Sequence, residues 1–179
     1  PDVFIAHDNA RNQLFRNSAN GLFEEIGIQA GVAFNGDGRH ISGMGTDFRD
    51  YDGDGRPDIV MTGLRRETFE LFRNLDGREF ADSSAETGLL RLSQPWSGWS
   101  CAFVDFDNDG WRDFFVANGD LDVNGAQPNR LFRNAGRGHF VDVSPDAGPD
   151  LQVARLHRGA AFADFDNDGR VDVVVSSLN

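Results

Sequence analysis

Three nine-residue segments place carboxylates at positions 1, 3, 5 and 9 around a glycine at position 6. They are Asp50-Tyr-Asp-Gly-Asp-Gly-Arg-Pro-Asp58, Asp105-Phe-Asp-Asn-Asp-Gly-Trp-Arg-Asp113 and Asp164-Phe-Asp-Asn-Asp-Gly-Arg-Val-Asp172. Oxygen donors at this spacing suit a hard cation, and calcium takes six to eight oxygens at about 2.3–2.6 Å. Carboxylates at positions 1, 3 and 5 of a tight loop converge on one point, and the glycine lets the turn continue. The expected side-chain ligands are Asp50, Asp52, Asp54 and Asp58; Asp105, Asp107, Asp109 and Asp113; Asp164, Asp166, Asp168 and Asp172. Position 7 lends a backbone carbonyl, so Arg56, Trp111 and Arg170 complete the sets while their side chains vary. No His or Cys stands in these segments, which disfavours zinc and copper. Without an ion, four like charges would repel within a few ångströms. Three Ca2+ ions are therefore expected, and their removal should destabilise the fold.

The elements that hold these loops are strands. An EF-hand needs a Glu at position 12 and flanking helices. Position 12 is Met61, Val116 and Val175, and short apolar β-rich runs flank each loop. The copies start 55 and 59 residues apart. Leu14-Phe-Arg-Asn17 recurs as Leu71-Phe-Arg-Asn74 and Leu131-Phe-Arg-Asn134, each followed by a Gly-containing turn and then Phe23, Phe80 or Phe140. Phe48, Phe103 and Phe162 each stand two residues ahead of a loop. Each unit reads as four strands: A enters the loop, B leaves it, C carries Leu-Phe-Arg-Asn and D carries the later Phe. Four strands per unit of roughly 40–60 residues suit a propeller blade. The expected fold is all-β, a β-propeller segment of about three four-stranded blades. The repeat units run approximately 1–40, 41–96, 97–156 and, in part, 157–179.

Pro1 to Ile5 aligns with Pro57 to Met61, so the chain opens at position 8 of a further loop and the strand order is BCD, ABCD, ABCD, AB. Propellers close with four to eight blades. The segment is thus expected to be an excerpt of a larger propeller and an open arc. Its end faces are expected to carry Phe4, Phe15 and Phe23 on one side and Phe162, Val173 and Val175 on the other. These faces would meet the remaining blades of the same protein or a partner subunit.

The net charge of −12 rests largely on the loops, which hold 12 of the 29 acidic residues. Three calcium ions would leave about −6 by formal charge. That distribution argues against nucleic acid, whose backbone needs a basic stripe. The 16 Phe, mostly at repeating positions, are expected between blades. The single cysteine, Cys101, reads as a small buried residue. No apolar run is long enough for a membrane span in this segment. The four His have no metal spacing, and no nucleophile elbow or glycine-rich phosphate loop is present. Asp120 to Gly125 looks like half a calcium loop, but Pro128 at its ninth position cannot supply a carboxylate, so a polar turn is the favoured reading and any ion there would be weakly held or completed by a partner. Trp96 and Trp99 lie at the entrance to a blade, where Trp99 suits core packing and Trp96 suits either packing or ligand contact.

The run Ala102 to Gly119, with its Asp-Phe-Asp-Asn-Asp-Gly core, and the later Asn129-Arg-Leu-Phe-Arg-Asn134 resemble FG-GAP/VCBS repeats. The wording is most similar to the propellers that precede ASPIC/UnbV domains, including the cartilage acidic protein group. The resemblance covers essentially the whole chain and implies an integrin-α-like propeller with calcium in its loops. It implies an extracellular, periplasmic or cell-surface setting and a protein or glycan ligand at blade-connecting loops. The leading expectation is a calcium-stabilised binding or adhesion module rather than an enzyme. The alternatives are the propeller scaffold of a polysaccharide-degrading enzyme and a structural subunit of a large extracytoplasmic complex.

Overall fold

The computed structural model describes residues 1–18, 20–121 and 124–178. Its strands form four antiparallel sheets of three, four, four and two strands. The first blade holds β1 (Val3–Ile5), β2 (Gln13–Asn17) and β3 (Phe23–Glu25). The second holds β4 (Thr46–Arg49), β5 (Asp58–Met61), β6 (Glu70–Asn74) and β7 (Phe80–Asp82). A short helix, α1 (Leu89–Ser93), leads to the third blade: β8 (Gly98–Val104), β9 (Asp113–Asn118), β10 (Arg130–Asn134) and β11 (Phe140–Asp142). The fourth sheet pairs β12 (Leu156–Ala163) with β13 (Asp172–Leu178). The order BCD, ABCD, ABCD, AB is the one read from the repeats. No pairing joins β13 to β1 among the described residues, so the sheets make an open arc.

Each carboxylate loop is the turn of a hairpin, between β4 and β5, β8 and β9, or β12 and β13. The A strands lie side by side at the inner edge: Phe103 N donates to Asp47 Oδ2 at 2.9 Å, and Ser100 Oγ donates to the Ala160 carbonyl at 3.4 Å. Side chains alternate across a strand, and a blade inside the arc is covered on both faces. That is why strand C needs two adjacent apolar residues. Phe72 packs towards the first blade with Leu14, Ile26 and Val32, whereas its neighbour Leu71 packs towards the third with Phe114 and Phe132. The core is therefore two inter-blade layers. Truncating a fully buried Phe in either layer removes about 3–5 kcal/mol. Cys101 lies in the second layer, where burial pushes its thiol pKa up and leaves it a packing residue.

The two ends correct part of the expected surface. Phe15 and Phe23 do sit on the outward side of the first blade, with Phe23 exposed. Phe4 instead turns inward, with its ring centroid 6.5 Å from that of Phe72, and the exposed partners are Val3 and Ile5. At the other end Phe162 turns inward onto Phe115, at 5.5 Å between centroids. Val173 and Val175 are half-buried, while Val174 and Leu178 are exposed. The reason is phase: a strand with period two that is apolar on both faces can be registered either way from its sequence.

Candidate metal centre

Three carboxylate triads form: Asp50, Asp52 and Asp58; Asp105, Asp107 and Asp113; Asp164, Asp166 and Asp172. In each, one oxygen per residue lies within 4.8 Å of the others. Two oxygens that each sit about 2.3–2.6 Å from a common ion are at most about 5 Å apart, so the donor set fits a hard cation such as calcium.

The backbone presents these groups in the same way each time. The position 1 carboxylate accepts from the amides of positions 5 and 6: Asp54 and Gly55 to Asp50, Asp109 and Gly110 to Asp105, Asp168 and Gly169 to Asp164. Two left-handed residues make this possible, the glycine at position 6 and Gly53, Asn108 or Asn167 at position 4. Gly or Asn at position 4 is a requirement that the ligand pattern alone does not reveal. The position 5 carboxylates stand outside the triads. Asp54, Asp109 and Asp168 accept the amides of Arg56, Trp111 and Arg170 at 2.8–2.9 Å.

Arginine distinguishes one loop from the next. Arg73 Nε donates to Asp52 Oδ2 at 2.7 Å, and Arg56 pairs with Asp54. In the third blade position 7 is Trp111, and Arg133, the counterpart of Arg73, has no salt bridge among the described residues. Position 9 is the buried member of the triad in both blades. Burial pushes the Asp58 carboxyl up to about 7, against the amides of Asn74 and Tyr51, and Asp52 and Asp54 add to the rise. Asp113 is raised for the same reasons, with burial first.

Two further residues tie the loops to the blades. The asparagine that ends strand C donates its backbone N–H to position 9: Asn74 to Asp58 at 2.8 Å and Asn134 to Asp113 at 2.9 Å. The Asn17 backbone amide donates to Asp2 Oδ1 at 2.9 Å in the same way. The aromatic at position 2 plugs the seam to the next blade. Tyr51 stacks on Phe103 at 6.0 Å, and Phe106 meets Phe162 at 6.5 Å. Phe165, at position 2 of the last loop, is exposed. Both signals were present in the repeat as an invariant Asn and an invariant aromatic.

Trp99 and Trp96 are held by cations. The Arg158 guanidinium lies 4.0 Å over Trp99, and the Arg130 guanidinium 3.7 Å over Trp96, which packs against the second core layer. In the polar turn Asp120 to Gly125, the Asp120 amide bonds the Gly125 carbonyl at 2.8 Å; Asp122 and Val123 lie outside the described residues. No helix among the described residues is long and apolar enough to cross a membrane.

Residues 1–61, 50–116 and 105–175 each match the family described as FG-GAP-like repeat. Cartilage acidic protein 1 of Mus musculus is 48% identical over 127 residues, covering 71% of this chain and 18% of the relative. Cartilage acidic protein 1 of Xenopus tropicalis is 32% identical over 167 residues, covering 87% of this chain and 24% of the relative. The human protein of that name is 29% identical over 171 residues, or 88% and 23%. The chain thus spans about a quarter or less of the length of these relatives. It belongs to the FG-GAP-like repeat family.

Proposed function

We propose that this chain is a calcium-stabilised, extracytoplasmic propeller segment whose blade-connecting loops bind a protein or glycan ligand. Its blades follow the repeat units 1–40, 41–96, 97–156 and 157–179. The observation that supports this reading is the threefold repetition of one carboxylate triad in one hydrogen-bonded frame. Each triad concentrates charge that an ion would neutralise, and each joins the inner strands of its blade. Calcium acts there as a structural ion. Side chains at positions 1, 3 and 9 would hold it, with the position 5 carboxylate turning inward and the position 7 carbonyl completing the shell. An extracytoplasmic setting suits loops of this kind, since extracellular modules bind calcium at about 10⁻⁴–10⁻³ M. The relatives named for cartilage are consistent with a matrix-facing role.

Thermal melting with calcium and with EGTA tests the reading. An ion present at 100 times its Kd contributes about 2.7 kcal/mol per site. For a chain of this size each kcal/mol moves the midpoint by about 2–4 °C. Chelation is therefore expected to lower the midpoint by more than about 10 °C for three filled sites. An unchanged midpoint refutes structural calcium. Asp107→Ala should remove one ion of three in a calcium titration.

A further inference from the structure

The second and third blades differ at one buried position away from the carboxylate loops. Strand C opens with Arg130 in the third blade and with Glu70 in the second, each just ahead of the repeated Leu-Phe-Arg-Asn. Strand D ends on Asp142 and on Asp82, at the same step of the repeat. In the third blade these two residues are an ion pair: Arg130 Nη1 lies 3.6 Å from Asp142 Oδ2, and the guanidinium lies 3.7 Å over Trp96. In the second blade both are acids, and Ile41 stands as far ahead of Phe48 as Trp96 stands ahead of Phe103. Glu70 is only 2% exposed, and its carboxyl is hydrogen-bonded to that of Asp82. The hydroxyls of Thr68 and Ser84 donate to its two oxygens at 3.2 and 3.3 Å. Burial, with Asp82 next, pushes the Glu70 carboxyl up to about 7.

Where the third blade is filled, the second is open. Glu70 and Asp82 wall a cavity of about 580 Å³, together with Ile41, Ala85 and Leu90. That volume lies within the roughly 300–1,000 Å³ of binding sites for small groups. The cavity sits among the B–C and D–A connections, at the opposite end of the strands from the carboxylate loops, so its field does not depend on a bound ion. Asp37 and Glu67 bring its carboxylates to four, against the two guanidinium groups of Arg39 and Arg66. Arg39, Arg66 and His40 are exposed at the rim, whereas Glu67 is half-buried and Glu70 buried, so the interior is negative. None of the four acids has a salt bridge among the described residues.

We propose that this cavity is a docking site for a partner-protein segment carrying an arginine beside an aromatic residue, the arginine pairing with Glu70 and Asp82 as Arg130 pairs with Asp142. The inference rests on the binding-module reading and narrows its ligand to a protein. The third blade supplies the pattern: a guanidinium held between an acid and an indole closes this place within the chain. In the second blade the acid remains, while glutamate replaces the cation and isoleucine replaces the indole. A guanidinium fork has parallel donors for two carboxyl groups. Ile41, Ala85 and the exposed Leu90 give the aromatic an apolar wall. A sugar hydroxyl would leave the acids without a counter-charge, which is costly for a buried group. Entry of the cation displaces the proton that Glu70 holds in the free chain.

The test is isothermal titration of the full chain in millimolar calcium at about pH 7. The probe is acetyl-Gly-Trp-Arg-Gly-amide; the controls carry citrulline or lysine for arginine, or glycine for tryptophan. The probe should bind with a Kd below about 1 mM. Citrulline should weaken binding at least about tenfold, and the other two controls should also bind more weakly. Titrations in two buffers of different ionisation enthalpy should show proton release, which Glu70→Gln should abolish. Glu70→Arg rebuilds the third blade's ion pair and should eliminate binding. If that variant does not fold, Glu70→Gln and Asp82→Asn decide, each weakening the probe about tenfold. No binding of the probe, equal binding of any control peptide, or unchanged affinity in the variants overturns the site. Melting with and without EGTA on the same samples keeps the two readings apart: failure there removes structural calcium and leaves the peptide result standing.

Discussion

The loops of the second and third blades follow one backbone path and meet different surroundings. In the second, Arg56 and Arg73 press guanidinium groups onto Asp54 and Asp52, so the loop carries internal cations. In the third, Trp111 takes the place of one arginine, and Arg133 has no salt bridge among the described residues. In the second blade the side chain of the asparagine that ends strand C bonds within its own blade: Asn74 Nδ2 donates to the Pro57 carbonyl at 2.9 Å, and its Oδ1 accepts the Gly77 amide at 2.6 Å. Asn134 holds two blades together, donating from Nδ2 to Tyr51 O at 2.9 Å and to Arg112 O at 3.1 Å. The comparison teaches that one ligand motif can be braced in two ways. The second loop is braced by charge and the third by a hydrogen-bonded clasp to its neighbour.

The largest expected difference lies in that clasp. Asn134→Ala deletes the two Nδ2 bonds and the acceptor for the Gly136 and Gly138 amides, all at a fully buried residue. Unsatisfied buried groups cost about 1–3 kcal/mol. Asn134→Ala is therefore expected to lower stability by about 3 kcal/mol, and Asn74→Ala by about half of that. Urea denaturation in calcium measures both. Equal losses would show that the link to Tyr51 contributes nothing.

A smaller effect should appear with pH. The ion-free Asp58 carboxyl is raised from 3.8 to about 7, chiefly by burial. The folded chain therefore holds a proton between these values that the unfolded chain has released. Ion-free stability from this group is greatest at low pH and declines as pH rises through about 7. Calcium must displace that proton, so the calcium-induced gain in melting midpoint should be larger at about pH 8 than at about pH 5.5. Asp58→Asn should lose both that loop's ion and its share of the pH dependence. A gain that is flat across this range would refute the assignment.

The smallest expected effect concerns charge bracing. Arg73 pairs with Oδ2 of Asp52, a member of the carboxylate triad, at 2.7 Å. Arg73→Gln should tighten calcium at the second loop by about 3–10-fold, the scale of a partly exposed charge interaction of about 1 kcal/mol. Arg133→Gln should leave the third loop nearly unchanged. A calcium titration of the two variants decides, and equal shifts would erase the distinction between the loops.

Much of this molecule is legible from the repeat. The hairpin loops, the strand count and order, and the family follow from the D-x-D-x-D-G-x-x-D spacing and from Leu-Phe-Arg-Asn. Local patterns of this kind declare themselves, because turn dihedrals and period-two alternation depend on a few adjacent residues. The roles of Asn134 and Tyr51 were visible as repetition without a reason. Asn134 and Tyr51 are 83 residues apart in sequence, and their hydrogen bond belongs to the seam.

The sequence by itself determined which residues form loops and strands and which carboxylates crowd each turn, whereas the separation of position 5 from the triad belongs to the folded loop. It placed Phe4, Phe162, Val173 and Val175 on the end faces, and the structure turns Phe4 and Phe162 inward, because strands that are apolar on both sides contain no mark of which side meets which blade. It also left open where Trp111 would lie relative to the second blade. Only the stacking of one sheet on the next decided those matters. Packing between blades is a contact of faces far apart in the chain, and its register is set by shape and burial rather than by any local spacing.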